Sequence, residues 1–253
     1  MNDVSRVLEY LGRGSIGKID LCGANLVKAR LNGANLCRAN LERACLVDIE
    51  LSFAYLSRVN LRKASLNSAK LIGANLCGAD LNGADLRGAD LSGADLSEAN
   101  LSNATLIGAN LKGANLNGAD LSKADLSGQL DQGKVNSDIQ GIFGFDNMLD
   151  LYKAFKEGQI KNEELRMVYR NNTKGVNLNG ANLSNAKLNN ANLSNADLRN
   201  AILINARLIK TSLENANLRD ANLKGADLSR ANLIDADIEG ANMEGTIQEG
   251  TKK

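Results

Sequence analysis

The chain has 253 residues, with 30 Lys+Arg against 29 Asp+Glu, a net charge of +1, and no His, Pro or Trp. Without His there is no His-based acid–base catalysis, no Ser–His triad and no His-liganded zinc. The charge balance excludes nucleic-acid binding through a large net positive field, and the 4 Tyr and 4 Phe are too few for an aromatic-rich core or a base-stacking platform.

Residues 1–18 read as an N-terminal cap. Val4, Val7, Leu8 and Leu11 fall at i, i+3, i+4 and i+7, which predicts a short helix with one apolar face. Asp3, Arg6 and Glu9 are interspersed, so this segment is no secretory h-region.

From Leu21 to Leu126 every fifth residue is Leu, 22 positions in register. Ala lies two residues before Leu in 19 of the 22, with Ile19, Ile49 and Val59 as the exceptions. Asp or Asn usually precedes Leu, and Gly is second after it in 11 of the 22. A period of five fits neither a helix of 3.6 residues per turn nor a strand of period two. It fits a solenoid that turns a corner every five residues, with Leu and Ala inside and the intervening polar residues in water. Gly after Leu suits a turn with φ > 0. Lys28, Arg38 and Glu98 replace it, so the pattern predicts that φ > 0 is not obligatory at every corner. Ile49 and Val59 predict a bulge or wider coil near residues 49–60.

Residues 129–175 leave the grid and hold five of the eight aromatics. Met148, Leu151, Tyr152 and Phe155 share one helical face behind Asp146; Leu165, Val168 and Tyr169 share another behind Asn162. The pattern predicts a helical hairpin, packed on the solenoid or on a partner. The grid returns over 176–245, with 14 centres from Leu178 to Met243, and 246–253 reads as a tail.

The motif Ala-(Asp/Asn)-Leu-x-x resembles the pentapeptide-repeat family. The resemblance implies an all-β solenoid, a right-handed quadrilateral parallel β-helix with four pentapeptides per coil. The two arrays, at 19–128 and 176–245, would make about nine coils, roughly 43 Å at the spacing of paired strands. Residues 20 apart would then share a face. Arg30, Glu50, Lys70 and Asp90 form one alternating column, and Asp20, Asn40, Asn60, Asp80, Asn100 and Asp120 another, polar one. Asp80, Asp85, Asp90 and Asp95 lie on four different faces and cannot share an ion. Cys37 and Cys77 are two coils apart, too far for a disulfide.

Charge segregates along the first array. Residues 19–78 hold eight basic and four acidic residues, and 79–128 hold three basic and seven acidic. Phe53 and Tyr55 fall in the basic half beside Arg38, Arg58 and Arg62, the residue types that interface hot spots favour. With Tyr152, Phe155 and Tyr169 of the insertion, these are the candidate interaction residues. No nucleophile constellation, phosphate loop or paired carboxylate is present, so the reading calls for no enzyme, cofactor or metal.

The resemblance implies a protein–protein interaction scaffold or regulator. The alternative is a DNA-mimicking binder of type II topoisomerase, of the quinolone-resistance kind, although those rods carry a largely negative surface. The expected partner is a protein of unstated identity, with no membrane and no direct nucleic acid. Met243 and Ile247 would cover the last coil or stack on a second copy, a homodimer through the C-terminal end. Four scattered Cys (22, 37, 45 and 77) without a CxxC pair, and the lack of any run of 18 apolar residues, point to a cytoplasmic protein with reduced thiols.

Overall fold

The computed structural model describes residues 3–12, 18–127 and 175–253. The residue before each Leu pairs in parallel with the residue 20 positions on, from Asp20 with Asn40 to Asn232 with Lys252. Four pentapeptides therefore close one coil, and coils stack with strand-like spacing. We number the four faces by the Leu columns that begin at Leu21, Leu26, Leu31 and Leu36.

One hydrogen-bond pattern repeats throughout. Leu21 N donates to Asn40 O of the next coil at 2.7 Å, Gly23 N to Glu42 O at 2.8 Å, and Asn40 N back to Ile19 O at 2.9 Å. Between faces, Ala24 N donates to Leu21 O at 3.0 Å, closing a four-residue turn. Its third residue, second after Leu, has positive φ at all the described corners, 21 non-glycine and 15 glycine residues. Lys28, Arg38 and Glu98 adopt φ of 57°, 60° and 57°. The expectation that non-glycine corners escape positive φ is thus corrected. A hydrogen-bonded turn with φ > 0 at its third position alone is of type II, and every coil needs four of them to keep its neighbours in register. Asn and Asp, which tolerate this conformation best after Gly, occupy eight of the ten non-glycine corners of the second array.

Leu and Ala line the interior, and nearly all are fully buried. Ile49 and Val59 are buried too, at 0% exposure, and Glu50–Lys70, Tyr55–Asn75 and Asn60–Asp80 keep the 20-residue register beside them. No bulge or widened coil forms there; the correction follows because the branched side chains fill the interior without an added residue. Asp and Asn precede Leu for a reason on the outer surface. Their Oδ1 accepts the N–H two residues on, as Cys22 N to Asp20 Oδ1 at 3.1 Å. The same oxygen accepts the amide of the next coil's Asn: Asn40 Nδ2 to Asp20 Oδ1 at 2.8 Å, Asn60 Nδ2 to Asn40 Oδ1 at 2.9 Å.

The two arrays are one rod. Asn115, Asp120 and Asp125 pair with Asn177, Asn182 and Lys187, an offset of 62 in place of 20, so the second array stacks directly on the first. The expected helical hairpin of 129–175, with Tyr152, Phe155 and Tyr169, lies outside the described residues apart from Gly175.

The ends differ. Helix α1 spans Asp3–Gly12. Val7 is fully buried and Val4 and Leu11 pack beside it, but Leu8 is 54% exposed. The expected four-residue face is thus a narrower i, i+3, i+7 stripe, because the helix meets only the rim of the first coil. Its polar side chains substitute for a missing strand. Asp3 Oδ2 accepts Asn25 N–H at 2.9 Å, and Arg6 Nη2 donates to Asp20 O at 3.1 Å. At the other end, Ile247 pairs with Asp227 and Lys252 with Asn232, so 246–253 continue the coil and are no separate tail. Thr251 takes an Ala position and donates its hydroxyl to Leu228 O at 2.9 Å, as the buried Thr211 does to Leu188 O at 2.6 Å. Ile247 falls in the outward column and is 53% exposed, so it does not cover the last coil; Ile238, an inward position, is 39% exposed.

Candidate protein-binding surface

The outward columns carry the chemistry, and coil geometry decides which residues meet. On face 3, Arg30 Nε donates to Glu50 Oε2 at 3.0 Å and Lys70 Nζ lies 3.6 Å from Glu50 Oε1. The Arg30 hydrogen bond, with the charges of Arg30 and Lys70, holds the Glu50 carboxyl below its usual range. On the same face, outward-directed Ser52, Ile72, Asp90, Ser92 and Asn110 are buried. This stretch of face 3 offers little to a partner. Within single turns, Arg87 and Arg199 grip the carboxylate two residues before them at 2.5 and 2.7 Å. These hydrogen bonds hold Asp85 and Asp197 below the usual carboxylate range.

The candidate residues of the basic half spread over two faces. Tyr55 stands on face 4 between Asn35 and Asn75, 53% exposed. Arg38 and Arg58, both exposed, occupy the corner that follows face 4, one coil apart. Arg62 lies past the next side, on the corner after face 1, where Nη1 donates to Asp80 Oδ2 at 3.2 Å. Phe53 sits on the opposite corner of face 4 and is only half exposed. Its ring leans along the rod over Gly73: a methyl placed on Gly73 would lie 2.6 Å from Phe53 Cε1. Phe53 is therefore packed as much as displayed, while Tyr55 is displayed.

Two further cations join this cluster, Arg43 and Lys63, on the corner after face 1. Their spacing of 20 in the sequence places them in one column. Some corner residues meet across coils in a way visible only in three dimensions. Where the next coil has Gly at its corner, a long corner side chain lies over it. Positions for a methyl on Gly78 and Gly83 are 3.4 Å from Arg58 Cγ and 3.5 Å from Lys63 Cγ.

Cys22, Cys37, Cys45 and Cys77 are free thiols. Among the described residues, no group of three or more His, Cys, Asp or Glu is placed to hold a metal ion. No described helix is long and apolar enough to cross a membrane.

A four-sided coil of parallel-paired pentapeptides, with Leu inside and a type II turn at each corner, defines a quadrilateral β-helical repeat protein. The chain belongs to the pentapeptide-repeat family: that family's profile, pentapeptide repeats, matches residues 18–52, 54–93, 94–128, 177–215 and 211–247. Structures of the family are right-handed quadrilateral β-helices. Among solved structures, the chain is similar to HetL, a pentapeptide repeat protein involved in heterocyst differentiation regulation from the cyanobacterium Nostoc sp. strain PCC 7120. The two are 30% identical with a TM-score of 0.79, over 100% of this chain and 94% of HetL. Full-length QnrB1, a plasmid-mediated fluoroquinolone resistance protein, is 15% identical with a TM-score of 0.38, over 93% of this chain and 91% of its own. The pentapeptide repeat protein Rfr23 of the cyanobacterium Cyanothece 51142 is 22% identical with a TM-score of 0.27, over 71% and 91%. No curated protein sequence matches the chain.

Proposed function

We propose that this protein is a non-enzymatic interaction scaffold or regulator, a rigid rod that binds another protein through its outward columns. The observation that carries the reading is the exposed Tyr55 beside Arg38 and Arg58 on a backbone locked by coil-to-coil hydrogen bonds. A rigid surface loses little conformational freedom on binding, and Tyr with Arg is the composition of binding hot spots. The likeness to HetL, a protein involved in regulation, supports the same reading. The free thiols favour the cytoplasm as its compartment. The cationic cluster speaks against a DNA-mimicking role, which needs a negative surface.

The test is affinity capture by the tagged full chain from native lysate. A discrete partner should be recovered, and Tyr55→Ala/Arg58→Ala should reduce its recovery about tenfold with an unchanged circular dichroism spectrum. Equal recovery by the variant rejects this site. The open C-terminal end favours a second contact, with another copy of the chain. Ile238 is 39% exposed there, and the N–H groups of Ile238 and Met243 have no backbone partner among the described residues. Light scattering should then read two chains per particle, reduced to one by Ile238→Lys; a monomer at all concentrations rejects that contact.

A further inference from the structure

We infer that face 1, between the corner columns Arg38–Arg58 and Arg43–Lys63, binds an acidic segment of a protein partner. This deepens the scaffold reading and rests on it. Five cations frame the face over two coils, with Arg62 beside Lys63. Elsewhere on the rod, Arg30, Lys70, Arg87, Lys187, Arg199, Arg219 and Lys224 are matched by carboxylates, and within the frame Arg43 lies 3.7 Å from Glu42 and Arg62 lies 3.2 Å from Asp80. Arg38, Arg58 and Lys63 make no salt bridge among the described residues. The reason is local: the next coil brings Arg38 only another cation, Arg58. The stems of Arg58 and Lys63 lie over Gly78 and Gly83, where the next coil supplies no side chain and hence no counter-charge.

The floor between the two columns is Asn40 and Asn60, edged by Glu42, whose carboxylate is already held by Arg43 Nε at 3.7 Å and by Asn60 Nδ2 at 3.5 Å. The amides of Asn40 and Asn60 are engaged in the ladder that starts at Asp20. A carboxylate-rich strand lying on this floor would meet the guanidinium groups of Arg38 and Arg58 on one side and the ammonium of Lys63 on the other, with Arg43 engaged by Glu42. Guanidinium–carboxylate pairs are the stronger, geometrically specific kind of charge-assisted hydrogen bond.

The charge pattern along the rod selects the class of partner. Coils advance by about 4.8 Å, so the cationic frame is short. Beyond it, residues 79–128 hold three basic and seven acidic residues. A phosphate backbone continuing along the rod would run into that negative stretch, whereas a short acidic peptide segment fits on the cations alone. Face 3, with Ser52, Ile72, Asp90, Ser92 and Asn110 buried, offers no equivalent.

The experiment uses the full chain and a fluorescein-labelled peptide of about twelve alternating Asp and Glu residues, read by anisotropy at low salt. Saturable binding is expected. Arg38→Glu/Arg58→Glu/Lys63→Glu should weaken it at least about tenfold. Lys112→Glu/Lys210→Glu/Arg230→Glu, with the same change in net charge, should weaken it less than about twofold. Absence of saturable binding overturns the inference. So does equal weakening by both variants, which would mean bulk charge alone, and so does a 20-base-pair DNA duplex that binds as tightly as the peptide. If the first variant loses the peptide yet captures the native partner undiminished, the acidic-segment inference fails and the scaffold reading stands.

Discussion

Leu101→Ala should lower the unfolding free energy by about 2–5 kcal/mol. Leu101 has 0% exposure, in the face 1 column between Leu81 and Leu121. The cost is expected at the upper part of that range because the cavity cannot collapse. Leu101 N is held to Asp120 O at 2.7 Å, and Leu81 N to Asn100 O at 2.7 Å, so the coils above and below are fixed in spacing. The rod's stability is a sum of coils and their stacking, so position along it matters. Leu233, 6% exposed and one coil from the open end, should cost less than half as much when changed to Ala. Denaturant titration followed by circular dichroism reads both. Equal losses at the two sites would mean that the rod does not respond coil by coil.

Gly73→Ala is expected to cost about 1–3 kcal/mol, from two separate causes. Gly73 has φ of +61°, a conformation that strains Ala, and its new methyl would meet Phe53 Cε1 at 2.6 Å and Cδ1 at 2.7 Å. The two causes can be separated by a double-mutant cycle. Phe53→Ala removes the ring, so the same Gly73→Ala change in that background should cost only the backbone strain, about 1–2 kcal/mol. The difference between the two costs is the packing of Phe53 on the glycine. If the costs agree in both backgrounds, Phe53 rests on nothing at Gly73 and regains its standing as a displayed residue.

The five-residue grid was legible because each Leu and Ala repeats the same physical request: a buried position at a fixed phase. That is why Ile49 and Val59 could be placed inside, and why the charge column Arg30–Glu50–Lys70 could be drawn once four pentapeptides were assigned to a coil. The conformation at the corners was not legible. Lys28, Arg38 and Glu98 look like residues that avoid positive φ, yet each adopts it. A corner residue's intrinsic preference amounts to about 1–2 kcal/mol. It is outweighed by the coil-to-coil hydrogen bonds that a differently turned corner would break, Lys28 N to Val47 O at 2.9 Å and Arg38 N to Ser57 O at 2.9 Å among them. The candidate site was half legible. Tyr55, Arg38 and Arg58 come together, but Phe53 folds over Gly73, Arg62 is taken by Asp80, and Arg43 and Lys63 enter the cluster.

Taken alone, the sequence decided what lies inside and what lies outside, since hydrophobic burial depends on periodicity and periodicity is written in the chain. It also assigned the charge balance of each stretch of the rod. The tertiary structure decided the rest because it depends on neighbours 20 or 62 residues away. It made the two arrays one rod, through the pairing of Asn115 with Asn177, and it closed the N-terminal rim with Asp3 and Arg6. It also left Arg38, Arg58 and Lys63 without a salt bridge among the described residues, because neither their own turn nor the next coil brings a carboxylate to them.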